Sequence, residues 1–158
     1  MSASTLSYTL AAGSDLITFT LPQQPVPVAC TFATDCFGVD PANLAVDGSP
    51  VTGGVVNFYT PAQSGGLTIL DGSTLLVNNG APGNLQLFSG SLSAPTLNAY
   101  SNLQLVASSY GSPTYDEGFL LNATSSTTAT PEPSVVFLTL LGGLVLLIAY
   151  PRLRSTIH

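Results

Sequence analysis

Leu67-Thr-Ile-Leu70, then Asp71-Gly72, then Thr74-Leu-Leu-Val77: two short apolar runs around an Asp-Gly step decide how this chain folds. Each run is too short for a stable helix and suits a strand. Asp-Gly accepts the left-handed backbone that a tight hairpin turn requires. The stretch therefore predicts two antiparallel strands.

The same grammar repeats outward. Upstream, residues 43–46, the turn Asp47-Gly48-Ser49-Pro50 and residues 54–60 read as a second strand–turn–strand unit. Leu6-Ser-Tyr8-Thr-Leu10 and Leu16-Ile-Thr-Phe19-Thr-Leu21 alternate apolar and polar residues around Ala12-Gly13-Ser14-Asp15, a third hairpin. Downstream, Asn78-Asn-Gly-Ala-Pro-Gly83 is a turn cluster. Residues 85–88, 96–100, 103–106 and 119–122 complete the strand candidates. Pro22, Pro25 and Pro27 mark an extended loop or edge segment. Strands recurring every roughly 8–15 residues, with no helix between them, predict an antiparallel β-sandwich, jelly-roll-like, over residues 1–122. Residues 123–130, Ala-Thr-Ser-Ser-Thr-Thr-Ala-Thr, read as a Ser/Thr-rich linker.

Chemistry-bearing residues are sparse. Cys30 and Cys36 have no further Cys or His near them, since the single histidine is His158, so a metal site is not expected. Their spacing is wider than a redox Cys-x-x-Cys. A structural disulfide closing a small loop is the expectation, contributing about 2 kcal/mol in the chain-entropy model. The chain has eight acidic residues, of which only Glu132 follows residue 130, and its two basic residues are Arg152 and Arg154. Residues 1–130 thus hold seven carboxylates and no basic side chain. Nothing there neutralises phosphate, so nucleic acid is excluded as a partner. Triads that need histidine are unavailable in this part.

What remains is a carboxylate pair, as in glycoside hydrolysis. Asp116-Glu117 is the only acidic doublet; on a strand its side chains would diverge, and a solvated loop is the expectation. Asp35, Asp40, Asp47, Asp71, Asp116 and Glu117 are loop acids that calcium could use, without any Asp-x-Asp-x-Asp spacing. Tyr8, Tyr59, Tyr100, Tyr110 and Tyr115 could line a sugar-binding surface or pack as half-buried strand residues. Asn122-Ala-Thr124 matches a glycosylation acceptor, a triplet common by chance. No cofactor is implied.

The other informative stretch is the end of the chain. No charge stands between Pro133 and Pro151. A helix over about 134–150 would be roughly 25–28 Å long, close to the ~30 Å hydrocarbon core of a bilayer. Its apolar residues leave no polar stripe. Pro131-Glu132-Pro133-Ser134, the apolar run with Gly142-Gly143, and Arg152 with Arg154 resemble the PEP-CTERM sorting signal of bacterial exported proteins. The resemblance covers residues 131–158. The basic end has two arginines interrupted by Leu153. The resemblance implies export, and recognition of the tail by an exosortase, a membrane transpeptidase. It implies nothing about residues 1–130.

Met1-Ser-Ala-Ser-Thr has neither a basic n-region nor an apolar h-region. An export signal is therefore expected upstream of Met1. A tail anchor with a cytosolic domain would put the arginines outside, against the positive-inside rule. The resulting expectation is a non-enzymatic surface protein. Its β domain lies outside the inner membrane, held in lipid by the C-terminal helix or released to envelope or matrix after processing. The alternatives are an extracytoplasmic exopolysaccharide-binding module and a carboxylate-dependent glycoside hydrolase.

Overall fold

A computed structural model describes residues 4–30 and 34–127 of the chain. Two hairpins begin it. Strands β1 (Ser4–Ala12) and β2 (Asp15–Pro22) pair from Thr5↔Pro22 to Ala12↔Asp15. Their alternation buries Leu6, Tyr8, Leu10, Ile17, Phe19 and Leu21 on one face. Strands β4 (Ala42–Val46) and β5 (Ser49–Pro50) turn on Asp47 and Gly48, both at positive φ (50° and 78°), the requirement of a type I′ hairpin.

Strands β3 (Cys36–Val39), β6 (Gly54–Tyr59), β7 (Leu67–Asp71) and β8 (Thr74–Asn78) form a four-stranded sheet in that order. The β7–β8 hairpin forms as the Asp71-Gly72 step predicts and closes on Gly72-Ser73. Strands β9 (Phe88–Ser91) and β10 (Ala94–Leu97) make a separate two-stranded ribbon. With β11 (Tyr100–Gln104) and β12 (Leu120–Thr127), the larger sheet has the order β11-β12-β1-β2-β4-β5. The fold is all-β, and every sheet is antiparallel.

One apolar cluster joins residues of all these sheets. Tyr8 stacks on Phe19 at 4.7 Å between ring centroids and meets Phe58 of β6 at 6.3 Å. Phe37 of β3 stacks on Phe58 at 5.4 Å and meets Phe88 of β9 edge-on at 4.8 Å. The aromatic rings thus bind the inner face of the four-stranded sheet to that of the larger one.

Four expectations differ from the structure. Residues 43–46 and 54–60 do not form one strand–turn–strand unit: Asp47-Gly48 turns β4 back into the two-residue β5 within the larger sheet, and the chain then passes Gly53, at φ 77°, to place β6 in the four-stranded sheet. Strand β3 is not among the strands the sequence predicts, because Cys36-Phe-Gly-Val39 follows a proline-rich segment and carries no alternating pattern of its own. Its edge is covered by Val28, which exchanges backbone hydrogen bonds with Gly38. The domain boundary at residue 122 falls inside β12. Residues 123–127, read as the start of a linker, pair with β1 as far as Ser4↔Thr127. β-Branched and small hydroxyl residues fit a half-exposed strand once a neighbour offers a free edge, and Ala123 faces the core. The strands expected at 85–88, 96–100 and 103–106 are displaced, to Phe88–Ser91, Ala94–Leu97 and Tyr100–Gln104.

Cys30 and Cys36 are disulfide-bonded, their Cα atoms 5.7 Å apart. The expected membrane helix, Pro131, Glu132, Pro133, Arg152 and Arg154 lie outside the described residues. Among the described residues no helix is long and apolar enough to cross a membrane.

Tyr8 is buried, its hydroxyl has no hydrogen-bond partner among the described residues, and burial, with a smaller effect from Tyr100, pushes its pKa up. An unpaired buried hydroxyl costs about 1–3 kcal/mol. Tyr8→Phe keeps the stacked ring and removes that group. It is expected to stabilise the domain by about 1 kcal/mol, read as a higher urea midpoint at unchanged m-value.

Candidate functional site

The candidate site is a groove of about 750 Å³ on the four-stranded sheet. Val56, Phe58 and Ile69 point into the core, so by strand alternation Tyr59 and Thr68 face the other way. With Leu75 and Asn78 of β8 they form the floor. The walls are the 3-10 turn Pro61–Gln63 with Ser64, the loop 80–84 and the loop 108–111.

Three asparagines build those walls. Asn79 and Asn84 are buried, and Asn78 is half-buried. The Asn84 side-chain amide donates to the Asn79 carbonyl at 2.7 Å and to the Val106 carbonyl at 2.9 Å. Its Oδ1 accepts the Val106 N–H at 2.8 Å. Asn84 therefore pairs with Val106 as a neighbouring strand would. Asn79 Nδ2 reaches the carbonyls of Glu117 at 3.0 Å and of Val106 at 3.4 Å. Asn78 donates to the Tyr110 carbonyl, while its Oδ1 accepts the Gly80 N–H. Irregular loops bring backbone polar groups inside, and each must find a partner; here side-chain amides supply them.

Close packing fixes the remaining wall. Gly66 has φ 74°, and a Cβ there would lie 1.9 Å from the Asn79 carbonyl oxygen. At Gly65, φ 72°, a Cβ would lie 2.3 Å from the Asn84 carbonyl oxygen. Only glycine lets the turn after Ser64 dock against the asparagine loop. On the floor, Thr68 Oγ1 receives Asn57 Nδ2 at 3.3 Å and shares a hydrogen bond with the Tyr59 hydroxyl at 3.0 Å. Burial pushes the Tyr59 pKa up, so the hydroxyl stays protonated. Tyr110, 74 % exposed, stands at the rim, its N–H held by Ser108 Oγ at 3.1 Å.

Among the described residues no charged side chain lines this groove. Of the five tyrosines singled out from the sequence, it brings together Tyr59 and Tyr110. Tyr8 lies in the core, and the Tyr100 hydroxyl donates to the Gln86 carbonyl. Tyr115 pairs with Val77 beside the acidic groups. The Asp116-Glu117 doublet is not in the groove. Asp116 is exposed as expected, but Glu117 is not simply solvated: the residue is half-exposed while its Oε1 is shut off without a partner. Its carboxyl lies near those of Asp15, Asp47 and Asp116. Among the described residues no cluster of metal-ligating side chains forms. Asn122, from the glycosylation triplet, uses its Oδ1 to accept the Asn102 N–H at 2.8 Å. Set against known proteins, the chain matches no family model, no curated protein and no solved structure.

Desolvation first, then contact with Asp15, then the charges of Asp15, Asp116 and Asp47 push the Glu117 carboxyl above its ordinary value of 4.5. The folded protein holds this proton more tightly than the unfolded chain does. The group's contribution is fully present below pH 4.5 and is lost as pH rises through the raised folded value. Glu117→Gln keeps the shape and cannot ionise. Unfolding midpoints measured across that pH range should fall less steeply for the variant, leaving it the more stable protein at neutral pH.

Proposed function

We propose that this chain is an exported, non-enzymatic surface protein whose β domain binds carbohydrate in the uncharged groove. In this reading the two main sheets form a jelly-roll-like sandwich. The PEP-CTERM-like tail follows as a single transmembrane helix that exosortase recognises. The domain then stands outside the inner membrane, or passes to envelope or matrix once the tail is processed.

The observation that carries the reading is the lining of the groove: hydroxyl and amide groups, an exposed tyrosine ring, and no carboxylate. A polyhydroxylated ligand needs donors and acceptors beside an apolar platform. Glycoside hydrolysis needs two carboxyl groups flanking one bond, and the acidic doublet lies away from this cavity. The bonded Cys30–Cys36 pair fits an oxidising compartment outside the cytosol. A domain without basic residues is ill suited to anionic lipid head groups, so lipid contact falls to the tail.

Two tail variants separate anchoring from sorting. Leu141→Arg places a charge at the centre of the span, about 2.5–3.5 kcal/mol on insertion scales, and should leave the chain out of the membrane fraction. Glu132→Gln should insert normally but fail in processing or delivery when exosortase is present. Fractionation with protease protection reads both. If Glu132→Gln is delivered like wild type, the tail is a plain anchor; if Leu141→Arg stays membrane-integral, the span is wrong.

A further inference from the structure

Ser64 is the one residue of the groove held in a backbone conformation that its side chain disfavours. It ends the 3-10 turn with φ 101° and ψ −10°. Among the described residues, the other non-glycine residues at positive φ are Asn43, Asp47 and Asn102, at 50–55°. Those values lie in the left-handed basin that Asn and Asp tolerate. Asp47 also gains from it, since its Oδ1 accepts the Leu16 N–H at 2.8 Å. Ser64 is left-handed too but about 45–50° further in φ, and its hydroxyl makes no hydrogen bond among the described residues. Glycine would be cheaper here, as it is at Gly65 and Gly66. The left-handed backbone closes the turn, but glycine would close it as well; a serine side chain kept there with no partner in the fold points to a use elsewhere.

The neighbourhood suits recognition. Gln63 is exposed, and its amide is likewise unbonded among the described residues. The backbone beneath them is fixed: Gln63 N–H and Gly65 N–H both donate to the Thr60 carbonyl, at 3.0 and 2.9 Å, and Ser64 N–H donates to that of Pro61 at 3.1 Å. Polar groups on a rigid turn lose little entropy when they engage a ligand.

The ligand's charge follows from the domain. With seven carboxylates and no basic side chain before residue 131, an anionic ligand is repelled and has nothing to pair with. A peptide added as an extra strand is not served either. The two outer edges of this sheet are already bridged, by Val28 to Gly38 and by Tyr115 to Val77.

We infer that Ser64, with Gln63 beside it, is the polar recognition edge of the groove, and that it selects a neutral saccharide over an acidic one. The inference rests on the groove being a carbohydrate site. The test uses the full chain in detergent and measures affinity for cellohexaose, maltohexaose, mannohexaose and hexagalacturonate, with melting curves for each variant. Wild type should bind a neutral hexasaccharide and not hexagalacturonate. Ser64→Ala should bind roughly tenfold more weakly, the loss of one hydrogen bond, with unchanged melting. Ser64→Gly should lose the same affinity and melt no lower than wild type.

If both variants bind as wild type does, Ser64 is not a recognition group, and the carbohydrate reading stands without it. Preference for hexagalacturonate overturns the selectivity. If wild type binds none of the four, or binds a neutral peptide library instead, the carbohydrate reading falls and this inference with it.

Discussion

The pairing of the Asn84 side chain with the Val106 backbone is the interaction on which the groove depends. A sheet of β3, β6, β7 and β8 has one face in the core and one face that its own strands cannot enclose. Enclosure comes from chain without regular structure, around residues 79–87 and 105–119. Such chain carries N–H and C=O groups toward the interior, where an unpaired group costs about 1–3 kcal/mol. Asn84 satisfies three of them at once, and Asn79 adds the Glu117 carbonyl and shares that of Val106. Gly65 and Gly66 then let the opposite wall pack directly on the carbonyls of these asparagines. Remove the amide and the walls lose partners on both sides of the same cavity.

The aromatic core and the groove are two faces of one sheet. Phe58 and Tyr59 are adjacent in sequence, yet one stacks on Phe37 and the other floors the groove. Period-two alternation thus couples the core to the groove: rigidity at Phe58 fixes the position of Tyr59. The disulfide acts on the same region, because Cys36 pairs with Tyr59 and the neighbouring Asp35 carbonyl accepts the Thr60 N–H at 3.0 Å. Charge is kept apart from all this. Asp15, Asp47 and Glu117 gather near one another outside the groove, and burial together with that proximity raises the Glu117 carboxyl.

The parts legible in the sequence were those set by local chemistry. Gly13 and Gly72 announced their hairpins, and Asp47-Gly48 its turn but not the strand it leads to, because left-handed backbone is rare and residue-specific while the choice of β5 over β6 as partner is tertiary. The Cys30–Cys36 bond was legible because nothing else nearby could use two thiols. Strand β3 was not, because its four residues gain their strandedness from β6 and from Val28 rather than from their own pattern. The end of β12 was missed for the same reason: Ser and Thr residues that read as a linker become a strand when β1 stands beside them. The groove was least legible of all. Asn78, Asn79 and Asn84 sit in a segment whose composition says only turn. That they reach Tyr110, Glu117 and Val106 is a fact of tertiary placement. Ser64 carries no sequence signal, since its strain exists only in the folded backbone.

Native-state amide hydrogen exchange on wild type and Asn84→Ala tests the central claim most directly. If the asparagine amides hold the groove together, the variant should lose protection at Val106 and Ser108 and at Gly66, while the amides of β6 and β7 that face each other keep theirs. Unchanged protection at Val106 and Gly66 in the variant would contradict the account.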